Sequence, residues 1–315
     1  MDEFTLIEQF FAGRGRRRDD VCLGIGDDAA VTQVDGNFEL VIATDTICEG
    51  THFLPGTSPR ALGHRCLAVN LSDLAAMGAE PIWCSLALSL PRVDPDWVRG
   101  FADAFVALAD RFGLALIGGD TVRGSLAMTV TVHGRVRPGQ AIRRDRARDG
   151  DLIYVTGVPG QAAAGLRLLR AAEITAAGDS PSVQRFLYPE PRVMEGRALG
   201  GLATAMIDVS DGLAVDASRL LAASGLGAQM DLIDLPLEAV GASDALELAL
   251  DGGDDYELCF CIPPDRQAEL RRRSADWGCP VTRIGRTQQS TDIVWRIGEQ
   301  PCHTADRHFE HFPGP

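Results

Sequence analysis

Lysine is absent: all 30 basic side chains among the 315 residues are arginine. A P-loop nucleotidase with its phosphate-binding lysine is thereby excluded, as are the lysine-dependent chemistries of protein kinases and Schiff-base enzymes. If the chain handles nucleotide phosphates, their charge must be met by metal ions, arginines and backbone N–H groups. Long apolar runs are missing too. None reaches the roughly 18 residues of a membrane span, and the acidic opening Met1-Asp-Glu-Phe4 lacks a signal-peptide pattern, so neither insertion nor export is expected. The eight cysteines include no Cys-x-x-Cys pair, which reads as reduced thiols in a cytoplasm. Cys259 and Cys261 alternate along an apparent strand, where core packing outweighs metal binding. Positive charge is scarce as well: the formal net charge of −14 argues against general nucleic-acid binding, which needs a basic face. The local cluster Arg14–Arg18 reads as a solvated loop.

What is present is ordinary in proportion. Hydrophobic residues make up 45% and charged residues 23%, the balance of a soluble globular enzyme, and the length suits two domains better than one core. The placement of acids is less ordinary. Leu23-Gly-Ile-Gly-Asp-Asp-Ala-Ala30 sets two carboxylates side by side in a glycine-rich loop with no base among them. Adjacent acids repel, so a fold keeps Asp27 and Asp28 close only if something positive offsets them. Gly24-Ile-Gly26-Asp-Asp-Ala29 formally fits the dinucleotide pattern G-x-G-x-x-A. That fingerprint needs a helix next, whereas Val31, Val34 and the Asp35-Gly36-Asn37 turn read as strand and turn.

Taken in order, the periodicity predicts a short amphipathic helix at 4–11 and a buried strand at Glu39–Asp45, then a loop Thr46–Phe53 carrying His52. A helix at 59–78 opens at Ser58-Pro59 and closes at Gly78. On it Asn70, Asp73 and Met77 share a face. An acid and an amide amid Leu67, Val69, Leu71 and Leu74 are costly without partners, although a solvated stripe for Asp73 is an equal reading. Strand Ile82–Leu90, helix 95–112, strand Leu114–Gly118 running into Gly118-Gly119-Asp120-Thr121, and strand 125–136 follow. The second half restarts with strand 152–156 and helix 160–172. An irregular stretch 173–191, a helix 192–204 and a buried strand Ala205–Val209 with Asp208 come next. Ser210 and Asp211 read either as helix caps or as site residues. Gly252-Gly-Asp-Asp-Tyr-Glu257 leads into strand 256–262, residues 264–277 are helical, and 281–297 are mostly strand. Strands and helices alternate without a strict βαβ period, giving an α+β (α/β-like) reading with domains at 1–137 and 151–315 joined by an arginine- and glycine-rich linker, 138–150. Acids at strand ends in both halves imply a site at the domain junction.

Six acids, Asp27, Asp28, Asp45, Asp73, Asp120 and Asp208, exceed what ion pairing requires. Carboxylates suit Mg²⁺, which takes oxygen ligands and shares them with substrate phosphates. The repeated pattern of apolar strand, acid and small residue therefore points to several Mg²⁺ ions bridging the chain to phosphates.

These stretches also carry a resemblance. Gly24-Ile-Gly-Asp-Asp-Ala29, Thr44-Asp45, His52-Phe53, Asn70-Leu-Ser-Asp-Leu-Ala-Ala-Met-Gly-Ala79, Gly118-Gly-Asp-Thr121, Ile207-Asp-Val-Ser-Asp-Gly-Leu213 and Gly252-Gly-Asp-Asp-Tyr-Glu-Leu258 resemble the thiamine-monophosphate kinase family, in its order and across essentially the whole chain. The resemblance implies transfer of the γ-phosphoryl group of ATP onto the phosphate of thiamine monophosphate, giving thiamine diphosphate and ADP. It implies a two-domain fold shared with aminoimidazole ribonucleotide synthetase, selenophosphate synthetase and a hydrogenase-maturation factor. In that fold the N-terminal domains pair in a homodimer, and ATP and magnesium lie between the two domains.

By position, the resemblance makes Asp28, Thr44, Asp45, Asp73, Asp120, Asp208 and Asp211 magnesium ligands. Gly119, Asp120, Arg144 and Ser210 become ATP contacts, with Arg143 and Arg146 as alternatives to Arg144. His52, Asp254 and Phe309 become substrate contacts, the aromatic packing on the thiamine rings. Three positions depart from the family pattern: Ala43 where relatives can carry a serine, Asp254 in place of the usual glutamate, and Phe309 where tyrosine or tryptophan also occurs. The acceptor phosphate is already ionised at neutral pH, so no nucleophile or general base is assigned. His52 reads as a binder, against a loop histidine of no consequence. The rival readings are a member of the same superfamily with another acceptor, a magnesium-dependent phosphohydrolase acting on water, and an inert nucleotide-binding module. Cys22 lacks the glycine-rich context of a selenophosphate synthetase thiol.

Overall fold

The structure is a computed structural model describing residues 3–25, 29–171 and 180–302. It divides into two compact units, one built from residues up to Leu74 together with Ala79–Gly139, the other from Ala75–Gly78 together with Gln140 onward.

In the first unit, helix α1 (Glu3–Phe10) buries Leu6 and Phe10, and β1 (Val21–Leu23) and β2 (Val31–Thr32) form an antiparallel ribbon. The main elements are β3 (Glu39–Cys48), α2 (Pro59–Ala76), β4 (Glu80–Leu90), α3 (Pro95–Arg111), β5 (Ala115–Arg123) and β6 (Ala127–Val136). Among the described residues the four strands lie in the order β3-β6-β4-β5; β4 and β5 are parallel and joined through α3, and the other pairs are antiparallel. Alternation along β6 sets the layers: Met128, Val130, Val132 and Val136 are buried, while Thr129, Thr131 and His133 face the other, half-exposed side.

Helix α3 starts where Asp94 accepts hydrogen bonds from the Asp96 and Trp97 amides ahead of Pro95 at the first helical position, and it buries Phe101 and Phe105. Helix α2 is buried almost all round, from Leu62 through Leu67, Asn70, Leu71, Ser72 and Leu74, so it offers no broad solvated stripe.

Two expectations need correction here. The strand β3 is not buried: it is the sheet edge, runs on through Cys48, and leaves Leu40 38% and Ile42 57% exposed. An apolar alternating run looks the same whether or not its second face is covered, which is why the sequence misleads. Likewise Gly118–Thr121 does not follow a strand but lies within β5, paired to Ser85–Leu88 of β4.

The second unit contains a 3₁₀ turn at Arg144–Arg146, then β7 (Leu152–Thr156), α4 (Gln161–Arg170), α5 (Pro181–Leu187), α6 (Val193–Ala198), β8 (Ala205–Val209), α7 (Leu213–Ala223), β9 (Gly227–Asp231), α8 (Ala245–Asp251), β10 (Glu257–Ile262), α9 (Gln267–Arg273), β11 (Val281–Gln288), β12 (Ile293–Ile297) and β13 (Gln300–Pro301). Its sheet has the order β13-β12-β9-β11-β7-β10-β8 among the described residues; β9 and β12 run parallel, and the other pairs are antiparallel. Every residue of β7, β8 and β10 is buried. One face packs Ile153, Val155, Ile207 and Val209 with Leu220 and Leu221 of α7. On the other, Tyr154 and Phe260 stack at 5.7 Å between ring centroids. The stretch expected to be irregular holds α5, begun by Pro181 in the position where a missing N–H costs nothing. The helix expected at 192–204 stops at Ala198, short of Gly200-Gly201. Each unit mixes helices with a mainly antiparallel sheet, so the fold class is α+β.

The last turn of α2 belongs to the second unit in its own right. The Ile142 amide donates to the Met77 carbonyl at 3.1 Å, and a Cβ at Gly196 would collide with the Ala75 carbonyl oxygen.

Candidate active site

A cavity of about 620 Å³ in the first unit is walled by Gly24, Ile25, Ala29 and Ala30 on one side and by Gly118–Thr121 of β5 on another. The two glycine-rich stretches singled out in the sequence therefore share one space. Glycine is required at 119: its φ is +154°, and a Cβ would collide with the carbonyl of Leu86 on the neighbouring strand. The bare backbone keeps β4 and β5 in register, and the exposed carboxylate of Asp120 stands at the cavity wall.

Thr44 and Asp45 are neighbours in β3, so their side chains leave on opposite faces. The Thr44 hydroxyl donates to Thr131 Oγ1 at 3.0 Å on the open face of the sheet. On the other side, the Asp45 amide donates to Asn70 Oδ1 at 2.8 Å, and Asn70 Nδ2 donates to the Cys66 carbonyl at 2.9 Å. Both ends of a buried amide in an apolar helix thus have a partner, clamping the edge strand to α2. Asp73 lies one turn further along that same helix face and is half-buried. The Thr44 and Asp73 side chains therefore do not converge. His52 closes the turn after β3, its Nδ1 accepting from the Cys48 amide at 3.0 Å. That bond fixes Nδ1 as the acceptor and leaves Nε2 carrying the proton.

In the second unit, Asp208 occupies the face of β8 away from Ile207 and Val209 and is 6% exposed. Ser210 and Asp211 do not cap α7; its cap residue is Gly212 and no side chain serves there. Asp216, inside the helix, reaches back instead: its Oδ2 accepts from the Ser210 amide at 3.0 Å and the Asp211 amide at 2.9 Å. Burial pushes the Asp216 carboxyl up, against those amide bonds and Arg219, whose guanidinium donates to Asp216 Oδ1 at 2.8 Å. Arg219 also pairs with Asp211. Of the three arginines near 144, Arg143 is taken by Asp145, whereas Arg144 and Arg146 form no ion pair among the described residues. The Arg144 carbonyl accepts from Ser224 at 2.7 Å, so its backbone is tied to the end of α7 while its side chain is exposed.

The Gly252–Leu258 stretch docks beside Ser210: the Asp254 amide donates to the Ser210 carbonyl at 2.7 Å and the Tyr256 amide to the Val209 carbonyl at 2.8 Å. Two functional-looking acids within it are structural. Asp255 is wholly buried and receives the Gly160 amide at 2.6 Å and the Ala162 amide at 3.2 Å, which caps α4. Glu257 is gripped by Arg192 and Arg185. Sequence reasoning missed Asp216, Asp255, Arg185 and Arg192. A signal existed only for Glu257, a charge heading the apolar run Leu258–Ile262.

Among the described residues no three acidic, histidine or cysteine side chains gather as a ready metal cage. Asp27, Asp28 and Phe309 lie outside the described residues. The side chains of Asp120, Asp45 and Asp208 carry hard carboxylate oxygens. They fit Mg²⁺, which is held through one or two carboxylates plus substrate phosphates rather than by an all-protein cage.

Two family models match the chain, AIR synthase related protein, N-terminal domain over residues 26–136, and AIR synthase related protein, C-terminal domain over residues 148–297. Thiamine-monophosphate kinase of Salmonella typhimurium is 45% identical over 298 residues, covering 92% of this chain and 91% of its own. The crystal structure of thiamine-monophosphate kinase from Stenotrophomonas maltophilia superposes with a TM-score of 0.86 at 44% identity, over 96% of this chain and 98% of that one. A structure of AaThiL complexed with AMPPCP and TMP superposes with a TM-score of 0.77 at 29% identity, over 91% and 92% of the two chains.

Proposed function

The chain belongs to the thiamine-monophosphate kinase family, and from that premise we propose that it transfers the γ-phosphoryl group of ATP to the phosphate of thiamine monophosphate, giving thiamine diphosphate and ADP. The observation that carries this reading is kinship at 45% identity over nearly the full length with an enzyme named for the reaction.

Phosphoryl transfer between two anions is chiefly a matter of positioning and of charge stabilisation. The chain does this without lysine. In the first unit, the glycine backbone at 24 and 118–119 lets phosphates approach main-chain N–H groups closely, with Gly119 an ATP contact. Asp28, Asp45, Asp73 and Asp120 would supply carboxylates for Mg²⁺, with Thr44, whose hydroxyl donates its proton to Thr131 and keeps its lone pairs, as a further oxygen ligand. Bound Mg²⁺ screens the repulsion between donor and acceptor phosphates. In the second unit, Asp208 and Asp211 add carboxylates, Ser210 and the unpaired guanidinium of Arg144 meet ATP, and Arg219 restrains Asp211. His52, through Nε2, together with Asp254 and Phe309, holds thiamine monophosphate.

The same reading makes the protein a homodimer paired through its first unit. Leu40, Ile42 and Val122 leave apolar surface on the open sheet face, which a second copy would cover. Light scattering on wild type and Ile42→Glu, with the variant reduced to a monomer, tests this. Among the described residues no helix is long and apolar enough to cross a membrane. The eight free cysteines fit a reducing cytoplasm.

The deciding assay follows ATP consumption by purified protein with Mg²⁺ and thiamine, thiamine monophosphate or an aminoimidazole precursor. Consumption only with thiamine monophosphate, with thiamine diphosphate appearing in step, supports the proposal. ATP loss without an acceptor makes the protein a hydrolase.

A further inference from the structure

Two non-glycine residues in the second unit hold left-handed backbone, Asp254 at φ +63° and Tyr256 at φ +51°. Aspartate tolerates that region, but a bulky tyrosine is an outlier there, and such a conformation persists only where the surroundings over-determine it. The surroundings do so at every other residue. Asp255 is buried and holds the Gly160 and Ala162 amides, and Glu257 is buried between Arg185 and Arg192. The main chain of Asp254 and Tyr256, which alternate with them, is fixed by the Ser210 and Val209 carbonyls. With 255 and 257 anchored inward, residues 254 and 256 are displayed together, and the Tyr256 hydroxyl donates to Asp254 Oδ1 at 3.2 Å.

We infer that Tyr256 is a positioning residue for the acceptor, its hydroxyl steering the Asp254 carboxylate onto the ring end of thiamine monophosphate. This rests on the proposed function, in which Asp254 contacts the acceptor. The end it meets follows from charge: a carboxylate attracts the thiazolium cation and the ring amine but repels the phosphate. Asp254 is one methylene shorter than glutamate, so its aim depends the more on a neighbour that holds it. Nothing in the family pattern assigns a role to Tyr256; the strained backbone and the hydroxyl contact do.

The test uses full-length Tyr256→Phe, which removes one hydroxyl and keeps the ring. Calorimetric Kd and steady-state KM for thiamine monophosphate should rise roughly three- to tenfold, the effect of losing one ordinary hydrogen bond that positions the carboxylate. The KM for ATP and the melting temperature should stay at wild-type values. Inhibition by thiamine, which has the rings without the phosphate, should weaken by the same factor, and inhibition by inorganic phosphate should not change. An unchanged Kd, equal rises for both substrates, or a shift in phosphate rather than thiamine inhibition overturns the inference. A wild type that binds thiamine monophosphate without phosphorylating it sinks the proposed reaction, while the binding comparison still decides on Tyr256. A wild type that does not bind it sinks both.

Discussion

Arg192 grips Glu257 with Nε and Nη2, each 2.7 Å from a different carboxylate oxygen, and the Glu257 side chain is wholly out of solvent. Thr156 donates to the same carboxylate at 2.6 Å, and Arg185 brings a second guanidinium. Burial alone would push the Glu257 carboxyl up, but the two arginines outweigh it and hold the group below its ordinary value of 4.5.

Glu257→Ala should therefore destabilise the protein by about 3–5 kcal/mol, because it strands two guanidinium groups in a dry site. Urea unfolding measures it; a loss below 1 kcal/mol would mean that water reaches the arginines. Removing Arg143 from its exposed pair with Asp145 should leave the unfolding curve unchanged. The sign in pH follows from the lowered carboxyl: its stabilisation is present above 4.5 and disappears as pH falls through the folded value.

Asp255 runs the opposite way. Burial, opposed by the Gly160 and Ala162 amides, pushes its carboxyl from 3.8 to about 7, with Arg185 lowering it and Glu257 raising it. Between those values the folded protein holds a proton that the unfolded chain has lost, so stability falls as pH rises across the window. Asp255→Asn keeps an acceptor for one of the two helix amides, loses the other at a cost that does not depend on pH, and cannot titrate. Its stability relative to wild type should improve steadily as pH is raised from about 4 to about 7. A flat difference curve would show that Asp255 ionises freely.

Gly119→Ala should cost at least about 1–3 kcal/mol, since the added methyl must push β4 and β5 apart. Turnover should fall with it. Denaturation midpoints and kcat measured on one preparation check the pair. A variant that keeps wild-type stability would mean that the strands can separate cheaply.

Asp120→Asn tests chemistry rather than packing, because the side chain is exposed. We expect kcat to drop on the order of a hundredfold or more with an unchanged melting temperature. The KM for magnesium should rise. Near-normal rates at limiting Mg²⁺ would remove Asp120 from the ligand set.

Strands β7 and β8 were legible to the residue, because a wholly buried strand is a short apolar run between turn signals. Helix α2 was legible from its bounding Ser58-Pro59 and Gly78, and α3 from its apolar periodicity. The exposure of β3 was not, since alternation does not say whether anything covers the second face. In the site, the motif acids could be picked out, but not which of them serve the fold. Asp254 and Asp255 are identical and adjacent in sequence, yet one is displayed beside a tyrosine and the other is sealed under a helix end. Only tertiary partners divide such a pair. The roles of Asp216 and Arg192 depend on loops that periodicity does not describe.

Besides the boundary after Gly139, in the connection that follows β6, the units are also divided inside α2. A gene cut after Gly139 would deliver a second half without residues 75–78, leaving the Gly196 backbone and the Ile142 amide facing empty space. The halves are consequently not interchangeable cassettes. Recombination that respects both would have to carry a helix turn from the middle of the first half along with the second.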